Sequence, residues 1–127
     1  MTEPTEQEFP GAKNQLTIEV PDPESPMHEI MRFALSFDGY TLNGDVDSTN
    51  KCAELANAAE YAWHQSGELP STLHELRSCL YFENRRIHFG GDGPDTYVYM
   101  RFLVARIREL SGGTVEVTPT SPIARWG

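Results

Sequence analysis

The side chains with the widest chemical reach in this chain are its arginines, its histidines, two cysteines and one carboxylate-rich loop, and their spacing decides what each could do. The run Tyr81-Phe-Glu-Asn-Arg-Arg-Ile-His-Phe89 holds the densest mixture of aromatic and cationic residues. On a helix, Arg85 follows Tyr81 and Arg86 follows Phe82 by four residues, the separation at which a guanidinium can lie over a ring. Arg101 and Arg108 are seven apart and share a face of the next helix. Tyr81, Arg85, Arg86, Arg101 and Arg108 therefore make a candidate interaction face, built from residue types enriched at interface hot spots. The competing assignment is a solvated face whose arginines pair with Glu83, Glu109 or the acidic N-terminal segment, because surface ion pairs are common and individually weak.

The other chemical constellations are weaker. Asn43, Asp45, Asp47 and Glu54 take positions one, three, five and twelve of a calcium-binding helix-loop-helix pattern. Ser48 stands where that loop needs glycine, and Lys51 places a cation at the ninth position, so capping of the following helix is the better use of these side chains. Gly90-Gly-Asp-Gly-Pro94 precedes a helix as a phosphate-binding loop would. It lacks the lysine and hydroxyl of that motif, and Asp92 and Asp95 would repel a phosphate.

His28, His64, His74 and His88 fall on different elements, and Cys52 and Cys79 are 27 residues apart, so no metal is expected on ligand spacing. Cys79 sits in an apolar helical pattern with nothing beside it to lower a thiol pKa, and reads as core rather than nucleophile. No motif calls for a cofactor. A pocket inside the fold remains the rival to a surface, with Asp38, Tyr40, Glu83 and Arg86 as polar residues that helix packing could bring together.

These side chains need elements to hold them. After an acidic segment over 1–14 with Pro4 and Pro10, expected to be a disordered tail, residues 15–20 alternate with Leu16, Ile18 and Val20 on one side and predict a short strand. Ser25-Pro26 opens a predicted helix over 26–37 carrying Met27, Ile30, Met31, Ala34 and Phe37 at helical spacing; Met31, Phe33, Leu35 and Phe37 also alternate, which leaves a strand as the competing reading. A polar loop follows. Cys52, Leu55, Ala56, Ala59, Ala62 and Trp63 then form an apolar stripe that predicts a helix over 49–66, stopped by Gly67.

Thr72 and Glu75 have the spacing of a capping box and open a helix over 72–89, ended by Gly90-Gly91. Pro94 starts another over 94–110, closed by Gly112-Gly113. A second alternating stretch at 114–118 predicts a strand, and 119–127 reads as a flexible tail. The short links imply antiparallel neighbours. The predicted fold is a mainly helical bundle of three to four helices in a single domain over 15–118, with the two terminal strands able to pair on its surface.

At 127 residues and a net charge of -9, the chain has one domain's worth of core and a phosphate-repelling balance, which disfavours nucleic acid and anionic membranes. Residues 26–69 contribute -5, whereas residues 70–110 carry +1. No apolar stretch has the length of a membrane span, and the first fifteen residues lack the apolar core of a signal peptide, so the expected setting is the cytoplasm without membrane contact. The functional expectation is a non-enzymatic module that binds another protein through the arginine and aromatic face, with self-association left open. The alternative is a small enzyme or ligand-binding domain with a pocket in the bundle.

Overall fold

The computed structural model describes residues 16–42, 50–91 and 93–119, with side chains described for all of these except 37–42, 50–52 and 118–119. In chain order the elements are β1 (Leu16–Glu19), α1 (Met27–Gly39), β2 (Tyr40–Leu42), α2 (Asn50–Ser66), α3 (Leu73–His88), α4 (Pro94–Ser111) and β3 (Thr114–Pro119). The four predicted helices are present, with ends within two residues of expectation.

The first helix settles the ambiguity of its sequence. Ile30, Phe33 and Ala34 are buried at helical spacing, while Leu35, which an alternating strand would place beside Phe33, is 42% exposed.

The terminal strands pair as expected: β1 runs antiparallel to β3 with Ile18 opposite Val115 and Leu16 opposite Val117. The sheet has a third strand, in a stretch to which the sequence reading assigns no element. β2 pairs with the other edge of β3, Leu42 opposite Val117, so β3 is central in the order β1-β3-β2. Three residues are too few to display a period of two, and β2 follows α1 without a link, which is why its pattern is silent. Val115 and Val117 bury their side chains against the helices, which gives this small sheet the packing partner it needs.

The centre of the molecule is α3. It packs against α1, α2, α4 and β2, and every residue from Leu76 to Tyr81 is buried, together with Glu83 and Asn84. A helix covered nearly all round must bury polar residues as well as apolar ones, and Arg77, Ser78, Glu83 and Asn84 are the result. Thr72 caps its start, the hydroxyl accepting from the Glu75 amide at 3.2 Å. Gly112 and Gly113 both have positive φ and turn the chain from α4 straight into β3.

The calcium-like positions Asn43, Asp45 and Asp47, Asp92 of the glycine-rich turn, the acidic segment 1–14 and the tail beyond Pro119 lie outside the described residues, as do the side chains of Asp38, Tyr40 and Cys52. Among the described residues no helix is long and apolar enough to cross a membrane.

Candidate functional site

The five side chains of the predicted interaction face do not form one face. Tyr81 is 2% exposed and belongs to the core, where its ring meets Phe82 edge-on at 5.2 Å. Its position on the inner side of a helix covered nearly all round is what removes it from the surface.

Three of the arginines are engaged inside the fold. Arg86 makes a two-pronged ion pair with Glu60 of α2, its two Nη atoms 2.8 and 2.6 Å from the carboxylate oxygens. Arg101 donates through Nη1 to the carbonyls of Ser25, at 2.8 Å, and Pro23. Arg108 donates to the Val20 carbonyl. The last two pin the segment between β1 and α1 onto α4, satisfying carbonyls that no strand or helix uses. Arg106 is held in the same way, by Glu109 at 3.1 Å and by the Pro70 carbonyl.

Arg85 behaves differently. Its guanidinium lies 5.8 Å from the centre of the Phe82 ring, a cation-aromatic contact at the C-terminal end of α3. One turn further on, Phe89 closes the helix with 71% of its surface exposed. Phe82, Arg85 and Phe89 occupy positions i, i+3 and i+7, so they share one side of the helix end. Gly91 keeps this end tight: its amide bonds the Arg86 carbonyl at 2.8 Å, and a Cβ there would fall 2.8 Å from Arg86 Cγ.

A second constellation lies between α2 and α3. Glu83 is 3% exposed, with Oε2 3.6 Å from Arg86 Nη2 and Oε1 without a hydrogen-bond partner. Burial, aided by the facing Glu60 charge and opposed by Arg86, pushes the Glu83 carboxyl up to about 8. Glu60 responds oppositely: burial would raise it, but the hydrogen bonds and charge of Arg86, with Glu83 and His64 beside it, hold it below the ordinary carboxylate range. The Glu60 hydrogen bonds in turn raise Arg86.

Two carboxyls face one guanidinium, and a proton kept on Glu83 leaves a balanced Glu60–Arg86 pair. Tyr99 of α4 borders the cluster, its hydroxyl raised by burial and by the adjoining Cys79. Cys79 takes the core place its spacing predicts. Further along α3 the buried Arg77 has Nη1 2.7 Å from His74 Nδ1, and burial pushes its guanidinium down to about 10.

Of the four polar residues that the pocket alternative names, the structure brings Glu83 and Arg86 together. It supplies Glu60 as their partner, which the sequence reading misses. The signal was present: Glu60 falls among Ala56, Ala59 and Trp63 on the apolar stripe of its helix, so a carboxylate there had to be buried and paired. Three surface clefts, lined in turn around Phe102, Ala58 and Phe33, do not include Glu60, Glu83 or Arg86. Among the described residues no three His, Cys, Asp or Glu side chains converge to hold a metal ion.

No protein-family model matches the chain, and no curated protein or solved structure matches it either.

Proposed function

We propose that this chain is a non-enzymatic protein–protein interaction module, a small regulator, adaptor or inhibitor, that engages another protein through the arginine and aromatic end of α3. Phe89 carries the reading: a phenylalanine left 71% exposed, one turn beyond a guanidinium stacked on Phe82. Covering a phenylalanine side chain is worth roughly 1.5–3 kcal/mol, and an aromatic residue next to arginine is the composition that interface hot spots favour. On this reading Arg86, Arg101 and Arg108 hold parts of the fold together, and Arg85 adds its charge to the surface around Phe89.

A ligand-binding or catalytic pocket draws support from the displaced Glu83 carboxyl, since shifted groups gather at functional sites. Structural ion-pair networks shift groups equally well, and the Arg86 fork is already filled by Glu60. Nucleic-acid binding has less behind it still, because the net charge is -9 and Arg86, Arg101, Arg106 and Arg108 are engaged within the chain.

The test is capture from a lysate of the source organism by the immobilised chain and by an Arg85→Ala, Phe89→Ser double variant of unchanged helicity. A protein retained in stoichiometric amount by the wild type and lost by the variant is the expected result. Equal retention by both forms, or no retention by either, would sink the reading.

A further inference from the structure

β1 is an outer strand of its sheet, bonded on one side to β3. The Val20 amide donates to the Gly113 carbonyl at 2.8 Å, and Ile18 and Leu16 continue that register opposite Val115 and Val117. The backbone groups of these three residues therefore face β3, and those of Thr17 and Glu19, which alternate with them, face outward. Among the described residues, nothing bonds Thr17 or Glu19 on that side. Beside this edge, between β1 and α1, runs a cleft of about 570 Å³ lined by Ile18, Val20, Phe33 and Ser36. Ile18 is half-buried and Leu16 is 41% exposed, although both lie on the side of the sheet that carries the helices. From this arrangement we infer that the edge of β1 is a docking site, separate from the Arg85 and Phe89 surface. Its occupant is an extended segment of another protein, added as an antiparallel strand with apolar side chains toward the cleft and lysine or arginine on the opposite face.

The open backbone selects a strand. Outward amides and carbonyls at every second residue are what an added strand bonds, and a helix laid there would leave them unused. Antiparallel pairing is the more stable kind and is the kind both existing pairs in this sheet adopt. Pro21, the next outward position after Glu19, has no amide and ends the ladder. In such a strand the residues opposite Leu16, Ile18 and Val20 turn their side chains to the helix side, where the apolar lining of the cleft suits valine, isoleucine or leucine.

Charge selects the residues between. The cleft itself is near balance, with Glu19, Asp22 and Glu29 against Arg32 and Arg108, and does not discriminate. The opposite face of the sheet does. Its positions are Thr17, Glu19, Thr41, Thr114, Glu116 and Thr118, so its charges are two carboxylates and no cation. Glu19 and Glu116 are diagonal neighbours, because Thr17 stands opposite Glu116 and Glu19 opposite Thr114. A lysine or arginine paired with Glu19 or Thr17 lies within reach of a carboxylate. A second copy paired through the same edge would bring its own Glu19 and Glu116 onto this face, four carboxylates without a cation.

The test uses the full chain and a fluorescent nine-residue peptide in which valine and lysine alternate, beside a twin with glutamate at each lysine. The lysine peptide binds at least about tenfold more tightly than the twin, and amide shifts in the NMR spectrum centre on Leu16 to Val20. Methylating the backbone nitrogens of the lysines, which face β1 in an antiparallel pair, weakens binding at least about tenfold, and methylating those of the valines, which face away, does not. Thr17→Pro removes an outward amide that β3 does not use, a place where an edge strand accepts proline, and weakens the lysine peptide at least about tenfold. Glu19→Lys reverses the charge at an exposed position and narrows or inverts the preference between the two peptides. The Arg85→Ala, Phe89→Ser variant binds the lysine peptide as the wild type does, so failure at one surface is separable from failure at the other.

No binding, equal binding of the two peptides, shifts centred elsewhere, equal effects of the two methylations, or an unchanged preference in Glu19→Lys overturns the inference. A wild-type chain that sediments as a dimer and becomes a monomer on Thr17→Pro also overturns it, and assigns the edge to a second copy.

Discussion

Two sides of α3 use the same residue types in opposite ways. On one, Tyr81 and Glu83 are shut away from water, and Arg86 is forked onto Glu60 across the helix boundary. On the other, Arg85 lies over Phe82, and Phe89 at the end of the helix is 71% exposed. Arg85 and Arg86 are adjacent in sequence, both half-buried and about 100° apart around the helix, and that rotation sets one guanidinium over Phe82 and the other against Glu60. A charged helix face is therefore not a single functional object. Its arginines have to be sorted by what each guanidinium already holds.

The largest effect that would sharpen this comparison is a pH dependence of stability. Glu83 is raised in the folded chain from 4.5 to about 8, so its contribution is fully present below pH 4.5 and is lost as pH rises toward 8, where the unfolded chain has long since released the proton. Glu60 is lowered, so its contribution is present above its unfolded value and is lost as pH falls through its folded one. Urea unfolding should show a loss of roughly 3–4 kcal/mol between pH 5 and 8 from Glu83. Glu83→Gln, which keeps a donor toward Glu60 without a titrating proton, should remove that slope and exceed the wild type at pH 8. An unchanged slope in the variant would place the titration elsewhere.

Next in size, Arg86→Ala leaves two carboxyls without their cation and should cost about 2–3 kcal/mol at neutral pH, less than a fully buried pair because Arg86 is partly exposed. Arg101→Ala strips the donor from the Pro23 and Ser25 carbonyls and should cost about 1–2 kcal/mol in the same assay. Arg85→Ala should cost less than either, under about 1 kcal/mol, since a cation-aromatic contact is weaker than a two-pronged ion pair. If Arg85→Ala destabilised as much as Arg86→Ala, the two ends of the contrast would be the same and the surface reading of Arg85 would fall.

The helices were legible because Pro94, the Thr72 cap, Gly67, Gly90 and Gly112 mark their ends and the apolar stripes between have a helical period. β2 was illegible at three residues, since it owes its extended form to pairing with β3 and not to any pattern of its own. The candidate face was legible in composition and not in geometry. Nothing local says that Arg101 and Arg108 reach back about eighty residues to the carbonyls near β1. Glu60 and Glu83 could have been suspected, each being a carboxylate on the apolar side of its helix, but only the packing of α2 on α3 sets them against the same arginine.

The most direct test of the central claim is site-specific photo-crosslinking in the source organism, with a photoreactive phenylalanine analogue at position 89 and, as control, at the exposed Leu110. Position 89 should give a defined crosslinked species of chain plus one protein, absent from position 110 and abolished by Arg85→Ala. Crosslinks that are equal at both positions, or absent at 89 in cells where the chain is folded and abundant, would contradict it.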